Sequence, residues 1–191
     1  MSSIAGSRPR PRTGGNSRDS RGRVLLETLP SGIGAGITAG AGTIYKTAVD
    51  RIGDIITTRI LLDITGLQSS TTDLDIIGTA GVSHIGQITA AVNGTIFGGS
   101  MLCLEATATG VTTVDLYAAT QATGAFDGAV TSLTETAVLT SSGAATLGLI
   151  QPLIADGIAA NAYLYLCNGA AGTVGTYTAG RFLITLYGNP V

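Results

Sequence analysis

The stretch IITTRILLDI, residues 55–64, decides the fold class of this chain. In an extended backbone, one side of it carries Ile56, Thr58, Ile60, Leu62 and Ile64, and the other side carries Thr57, Arg59, Leu61 and Asp63. Because side chains of a β-strand alternate between two faces, this pattern predicts a half-buried strand with one apolar face and one charged face. The run is also far shorter than the roughly 20 apolar residues of a membrane-spanning helix, so we expect no membrane partner.

Similar strand-like segments lie on both sides of this stretch. Turns rich in Gly, Ser, Thr and Asn separate them at short intervals, and Asn93-Gly94 is typical of a two-residue hairpin. The predicted strands include 43–49, 100–107, 112–118, 132–139, 161–167 and 177–187. Residues 147–160 are compatible with one short helix. The spacing predicts an all-β fold, an antiparallel β-sandwich or barrel that is jelly-roll-like.

The composition excludes other classes of protein. The chain of 191 residues is 45% hydrophobic and only 12% charged, with 28 Gly and no Trp. Its apolar fraction is too high for intrinsic disorder, and its charged fraction is too low for a coiled coil or a helical bundle. Cys103 and Cys167 lie in apolar strand-like runs, where we expect buried thiols rather than a disulfide framework.

Charge divides the chain into a basic arm and an acidic body. Residues 1–23 hold six arginines and one aspartate, a net charge of +5, whereas residues 24–191 hold four basic and eleven acidic side chains, a net charge of −7. The arm is nearly free of apolar residues and contains two prolines, so we expect it to be extended. We therefore divide the chain into the arm, a Gly-rich linker (24–42) and a β-sandwich body (43–191).

The arginines of the arm are the candidate binding residues. They are Arg8, Arg10, Arg12, Arg18, Arg21 and Arg23. Three roles are open: pairing with carboxylates of a neighbouring protein, contact with nucleic-acid phosphates, or no binding at all. The arm has no lysine, and it has no aromatic residue that could stack on bases. This composition favours docking on protein over binding to nucleic acid.

No arrangement of side chains indicates catalysis or a cofactor. His84 is the sole histidine, no pair of cysteines has the spacing of a zinc site, and neither GxSxG nor a P-loop motif occurs. The Gly-rich segment 31–42 does not fit GxGxxG and predicts a linker or a close-packed loop. Asp73 and Asp75 lack an EF-hand pattern and are more typical of a solvated strand edge. We therefore expect no enzyme activity, no catalytic residue, no metal and no cofactor.

Several segments of the body resemble a known group of proteins. They are GDIITTRILLDITGL (53–67), IGQITAAVNGTIFGGSMLCLEATA (85–108), VDLYAAT (114–120), and AYLYLCNG with GTYTAGRFLITLYG (within 162–188). They are similar to small virion structural proteins of marine tailed phages, particularly phages of cyanobacteria. The resemblance spans about residues 43–188 and leaves out the arm, and none of its segments is a catalytic motif.

The resemblance implies a capsid decoration (cement) protein, often a homotrimer, that binds the major capsid protein on the capsid surface of a virion assembled in the host cytoplasm. The arm would then anchor it to the capsid lattice. Other functions stay open. One is a tail, fibre or knob component, or a small jelly-roll shell protein with a genome-facing arm. Another is a carbohydrate-binding β-sandwich in which Tyr163, Tyr165 or Tyr177 stacks on sugars.

Overall fold

Nearly all regular structure in the chain is β-strand, as the sequence predicts. The computed structural model describes residues 29, 32–38, 42–141, 143–154 and 158–191 in full, and for residues 17–18 and 24–25 it describes the backbone alone. In chain order the described elements are β1 (Ser17–Arg18), β2 (Val24–Leu25), α1 (Ala35–Thr38), β3 (Ile44–Ile52), β4 (Ile55–Asp63), β5 (Gln68–Ser69), α2 (Ala90–Asn93), β6 (Thr95–Ala108), β7 (Val114–Ala119), a 3-10 helix (Val130–Ser132), β8 (Glu135–Leu139), β9 (Ile150–Pro152), β10 (Tyr163–Asn168), β11 (Gly175–Thr176) and β12 (Ala179–Asn189).

Two antiparallel sheets form the body. The large sheet has five strands in the order β3-β4-β12-β6-β9, and the small sheet has three in the order β10-β7-β8. Two further pairs, β5 with β11 and β1 with β2, are short. The sheets are not closed into a barrel, so of the two predicted forms the open, sandwich-like one is correct.

The core lies between the two sheets because each turns an apolar face inward. Ile60 of β4 and Ile184 of β12 share one buried cluster with Leu116 of β7 and Leu164 of β10. The predicted alternation of residues 55–64 is confirmed, since the side that carries Ile60 is buried along its whole length. The opposite side, which carries the charges, forms the outer face of the large sheet.

The small sheet is buried on both faces. All six residues of β7 are buried. On the face turned away from the large sheet, Tyr117, Tyr165 and Cys167 pack against Ile76 and Val130, which belong to the loops that cross over the sheet. The body therefore has three layers: the large sheet, the small sheet, and a layer of loops.

The described part of the Gly-rich segment, residues 32–38, is a close-packed loop. The Gly36 N–H donates to the carbonyl oxygen of Val82 at 2.7 Å, and Ile37 is fully buried. A Cβ on Gly36 would lie 2.2 Å from Ser83 Oγ, closer than any real contact, so a side chain at this position would displace the loop. The segment is thus packed onto the body at a point where backbone must approach backbone.

Two local predictions are wrong. Asn93-Gly94 does not form a hairpin, because α2 ends there and Gly94 takes a φ of +71°. The side chain of Asn93 accepts the Thr89 N–H and donates to the hydroxyl of Thr58, which fixes the helical turn instead. The helix expected in residues 147–160 is also absent from the described part of that range, where β9 and its flanking loops lie.

Candidate interaction surfaces

The candidate binding residues of the arm lie outside the fully described part of the chain. This holds for Arg8, Arg10, Arg12, Arg21 and Arg23, and of Arg18 only the backbone is described. That backbone belongs to β1, which pairs antiparallel with β2. β2 in turn lies beside the edge strand β3 of the large sheet. The described backbone of the arm is therefore connected, through β2, to the β3 edge of the body.

The single histidine is enclosed by aromatic rings. The imidazole of His84 is buried, with its centroid 5.0 Å from that of Tyr163 and 6.3 Å from that of Tyr165. Burial lowers the pKa of His84, and among the described residues its Nδ1 has no hydrogen-bond partner. The backbone carbonyl of His84 accepts the Gly34 N–H at 2.8 Å. The histidine thus lies where the Gly-rich segment meets the small-sheet layer.

The tyrosines considered for sugar stacking are largely part of the core. Tyr165 and Tyr177 are buried, and their hydroxyls donate to the carbonyl oxygens of Gln121 at 2.7 Å and Val111 at 2.8 Å. Tyr163 is half-buried against His84. The rings of Tyr165 and Tyr177 therefore have no face available for a sugar.

Both cysteines are free and buried, as the sequence predicts. Cys103 lies in the core between the sheets, whereas Cys167 lies in the cluster on the far face of the small sheet. Burial raises the pKa of both thiols, and the carboxylates of Asp115 and Asp75 raise that of Cys167 further. The two thiols, one from each sheet, are packed as apolar side chains on opposite sides of the small sheet.

Charge is segregated between the two sides of the sandwich. The basic side chains that the structure describes all belong to strands of the large sheet: Lys46, Arg51, Arg59 and Arg181. An equal number of acids lies on these strands or on the β3–β4 turn: Asp50, Asp54, Asp63 and Glu105. The other described acids lie around the far face of the small sheet, and we call them the acidic cluster: Asp73, Asp75, Asp115, Asp127 and Glu135.

The acidic cluster is held by hydrogen bonds to the backbone and to one hydroxyl. Ser70 Oγ lies 2.7 Å from Asp75 Oδ2 and also contacts the carboxylate of Asp127, and its single proton can be donated to only one of them. Burial raises the pKa of Asp115, although the hydrogen bond that its carboxylate accepts from the Ser141 N–H opposes this rise. Within the described ranges, no group of three or more His, Cys, Asp or Glu side chains is placed to hold a metal ion.

Both arginines on the outer face of the large sheet are paired with acids. Arg181 Nη2 lies 2.8 Å from Asp63 Oδ2 and 3.6 Å from Glu105 Oε2, on the two neighbouring strands. Arg59 of β4 pairs with Asp50 of β3 in the same way. Lys46 of β3 balances the remaining negative charge, so this face has no net charge, in contrast to the acidic cluster on the other side.

An uncharged surface begins in the middle of this face and continues around its β9 edge. The strand register aligns Leu61, Leu183, Leu102 and Ile150 in one row across β4, β12, β6 and β9. Beyond Ile150, a groove of about 620 Å³ lies between the end of β8 and β9. Its lining includes the apolar Leu139, Ala144, Leu149, Ile150 and Ile154 and the uncharged polar Thr140, Thr146 and Gln151. We call this groove and the exposed side chains at its rim, Leu147, Ile150 and Ile154, the edge patch. This patch is not predicted from the sequence.

The chain matches no model of a protein family, no curated protein and no solved structure. In the described part of the chain, no helix is long and apolar enough to cross a membrane. Function is therefore inferred from the surfaces themselves: the basic arm, the acidic cluster and the edge patch.

Proposed function

We propose that the protein is a virion structural protein that decorates and stabilises a phage capsid, with its arm docking on the major capsid protein. The observation that carries this proposal is the division of charge into a basic arm, an outer sheet face without net charge, and an acidic cluster. Protein interfaces are depleted of charge at their cores, and arginine forks pair well with carboxylates. These features support a molecule that is held between other protein surfaces.

The position of the acidic cluster favours this role over that of a shell protein that contacts the genome. Its five carboxylates, of which those of Asp75 and Asp115 are buried, lie on one side of the body, and the described basic side chains lie on the other. Such a field repels the phosphates of a nucleic acid and attracts arginine-rich protein surfaces. The body would therefore oppose, rather than assist, any binding of the arm to the genome.

The arm is tested by adding the protein to undecorated capsids of the phage that encodes it. The intact chain should co-sediment with the capsids, and a variant without residues 1–23 should bind at least ~10-fold more weakly, because its charge-assisted contacts are gone. A matched variant replaces the six arginines of the arm by lysine and so keeps the charge of +5. It should bind with intermediate strength, because lysine lacks the planar fork that pairs with a carboxylate.

Two results would contradict the proposal. Undiminished binding of the truncated chain would exclude the arm as the anchor. A low-resolution map of whole particles that placed the protein on the tail, or inside the shell, would exclude a decoration role altogether.

A further inference from the structure

The edge patch places a protruding apolar side chain next to an open groove. Leu147, on the turn before β9, is 74% exposed, and the preceding Thr146 and the nearby Leu149 line the groove. Ile150 and Ile154 at the rim are 63% and 59% exposed. Neighbouring side chains of this size, turned to water together, are typical of an interaction surface.

We infer that the edge patch binds a second copy of the chain about a twofold axis, with Leu147 of each copy entering the groove of the other. A twofold contact requires that one surface both gives and receives the same residue. The protruding leucine and the groove lie side by side on one surface, which meets this requirement. Ile150 and Ile154 are covered in the same contact.

Charge favours contact between two edge patches over binding of the basic arm to the edge patch and over contact between two acidic clusters. None of the described residues that line the groove or form its rim is charged, so they offer no ionic partner to the basic arm. Arginines brought there would lose water without gaining a carboxylate. Two copies that met through their acidic clusters would instead bring like charges together. At the edge patch, two uncharged surfaces meet.

Pro152 restricts the contact to side chains. The Leu153 N–H donates to the carbonyl oxygen of Gly99 in β6 at 3.0 Å, so its two neighbours present their nitrogens to the other edge of β9. There the Ile154 N–H donates to the carbonyl oxygen of Val138 in β8 at 2.7 Å, which leaves the residue before Leu153. That residue is Pro152, which has no N–H to donate to another strand. Proline on an edge strand blocks the joining of two sheets into one. The second copy therefore packs against β9 without extending the sheet.

The contact is independent of the capsid proposal, and it predicts a pair rather than the homotrimer that the resemblance implies. A closed trimer needs the inserting residue and the groove that receives it on different sides of the molecule, whereas here Leu147 and the groove adjoin. The mass of the full chain in solution separates the two, because a pair has twice the chain mass of 19.1 kDa.

The test is light scattering of the full-length protein during size-exclusion chromatography. The wild-type chain should have twice the chain mass, and Leu147→Asp should have the mass of one chain at the same concentration. Two buried leucine contacts are lost per pair, so the dissociation constant should rise on the order of 100-fold or more. Since Leu147 is exposed in a single copy, circular dichroism of Leu147→Asp should match that of the wild-type chain.

A matched control and a second variant complete the test. Val174→Asp changes an apolar residue that is 54% exposed but lies outside the edge patch, and it should leave the pair intact. Ala144→Phe fills the groove from inside its own chain and should separate the copies as Leu147→Asp does. A wild-type mass of one or three chains, or a Leu147→Asp variant that stays paired, would overturn the inference.

Discussion

Arg181 binds Asp63 through two of its nitrogens, with Nε at 3.2 Å and Nη2 at 2.8 Å from the same carboxylate oxygen. The other oxygen of Asp63 accepts the N–H and the hydroxyl of Thr65 at 3.0 and 2.6 Å. Asp63 is the last residue of β4 and is buried, so these partners replace the water that its charge would otherwise bind. The pair connects β4 and β12 in the middle of the large sheet.

Asp63 should contribute stability that depends on pH. Burial raises the pKa of this carboxyl, but the hydrogen bonds from Thr65 and Arg181 outweigh burial and hold the pKa below its ordinary value. Because the folded pKa is the lower one, the stabilisation is present above about pH 4 and is lost as the pH falls through the folded pKa. In urea unfolding at a series of pH values, Asp63→Asn should lower the free energy of unfolding at neutral pH by about 1–3 kcal/mol and flatten its fall in acid.

The pair of the exposed Arg59 and the half-buried Asp50, near the edge of the large sheet, provides the control for this experiment. Asp50→Asn should change the free energy of unfolding by less than about 1 kcal/mol, because ion pairs at the surface contribute little. An acid-unfolding profile of Asp63→Asn identical to that of the wild-type chain would contradict the role given to Asp63.

Gly36→Ala tests the docking of residues 32–38. The new Cβ would lie 2.2 Å from Ser83 Oγ and 2.7 Å from the carbonyl oxygen of Thr79, and the backbone atom cannot rotate away. We expect the free energy of unfolding to fall by about 1–3 kcal/mol. Gly98→Ala, where a Cβ meets nothing within 4 Å, is the control and should change it by less than about 1 kcal/mol. Equal losses in the two variants would show that the docking is not close.

His84 should make the chain less stable in mild acid. Its pKa is lowered by burial, so the unfolded chain takes up the proton first. The stabilisation is complete above about pH 6.5 and is lost as the pH falls from there toward the folded pKa, with a slope of at most about 1.4 kcal/mol per pH unit. His84→Phe keeps an aromatic ring beside Tyr163 and removes the titration, so its urea-unfolding free energy should vary less over this range. The same pH dependence of the free energy of unfolding in both chains would exclude this role of His84.

The buried thiols should be inert in the folded protein. Burial raises the pKa of Cys103 and Cys167, and the thiolate is the reactive form. A chromogenic disulfide reagent should label neither thiol at neutral pH until denaturant is added, whereas Val174→Cys should supply one thiol that reacts at once. Rapid labelling of the wild-type chain would mean that one of the two sites opens without global unfolding.

The strands could be predicted where one face is apolar and the other is polar. In β4, the alternation around Ile60 and Arg59 fixes both the strand and its buried face, because a shift by one residue would bury a charge. The local signal at Asn93-Gly94 was misleading, since the amide of Asn93 bonds not only the nearby Thr89 but also Thr58, which lies outside any short window of sequence. Tertiary contacts decide such cases.

The edge patch could not be predicted for a related reason. The charge-free run at 136–155 resembles the run at 157–180 in composition, yet the first places Leu147 in water and the second places Leu164 in the core. In a chain with so few charges, absence of charge does not distinguish a covered surface from an interior. Only the packing of β8 and β9 shows that the run at 136–155 forms an exposed groove.

The central position of β7 has a consequence for how the chain opens. Its backbone is hydrogen-bonded to β10 on one edge and to β8 on the other, and none of its side chains is exposed to solvent. Its amide hydrogens can exchange with deuterium only when all three layers separate, whereas those of the edge strands β3 and β9 exchange through local fraying. The slowest amides of β7 therefore report the global unfolding of the chain. The difference between their free energy of opening and that of the amides in the edge strands would measure how far parts of the fold open separately.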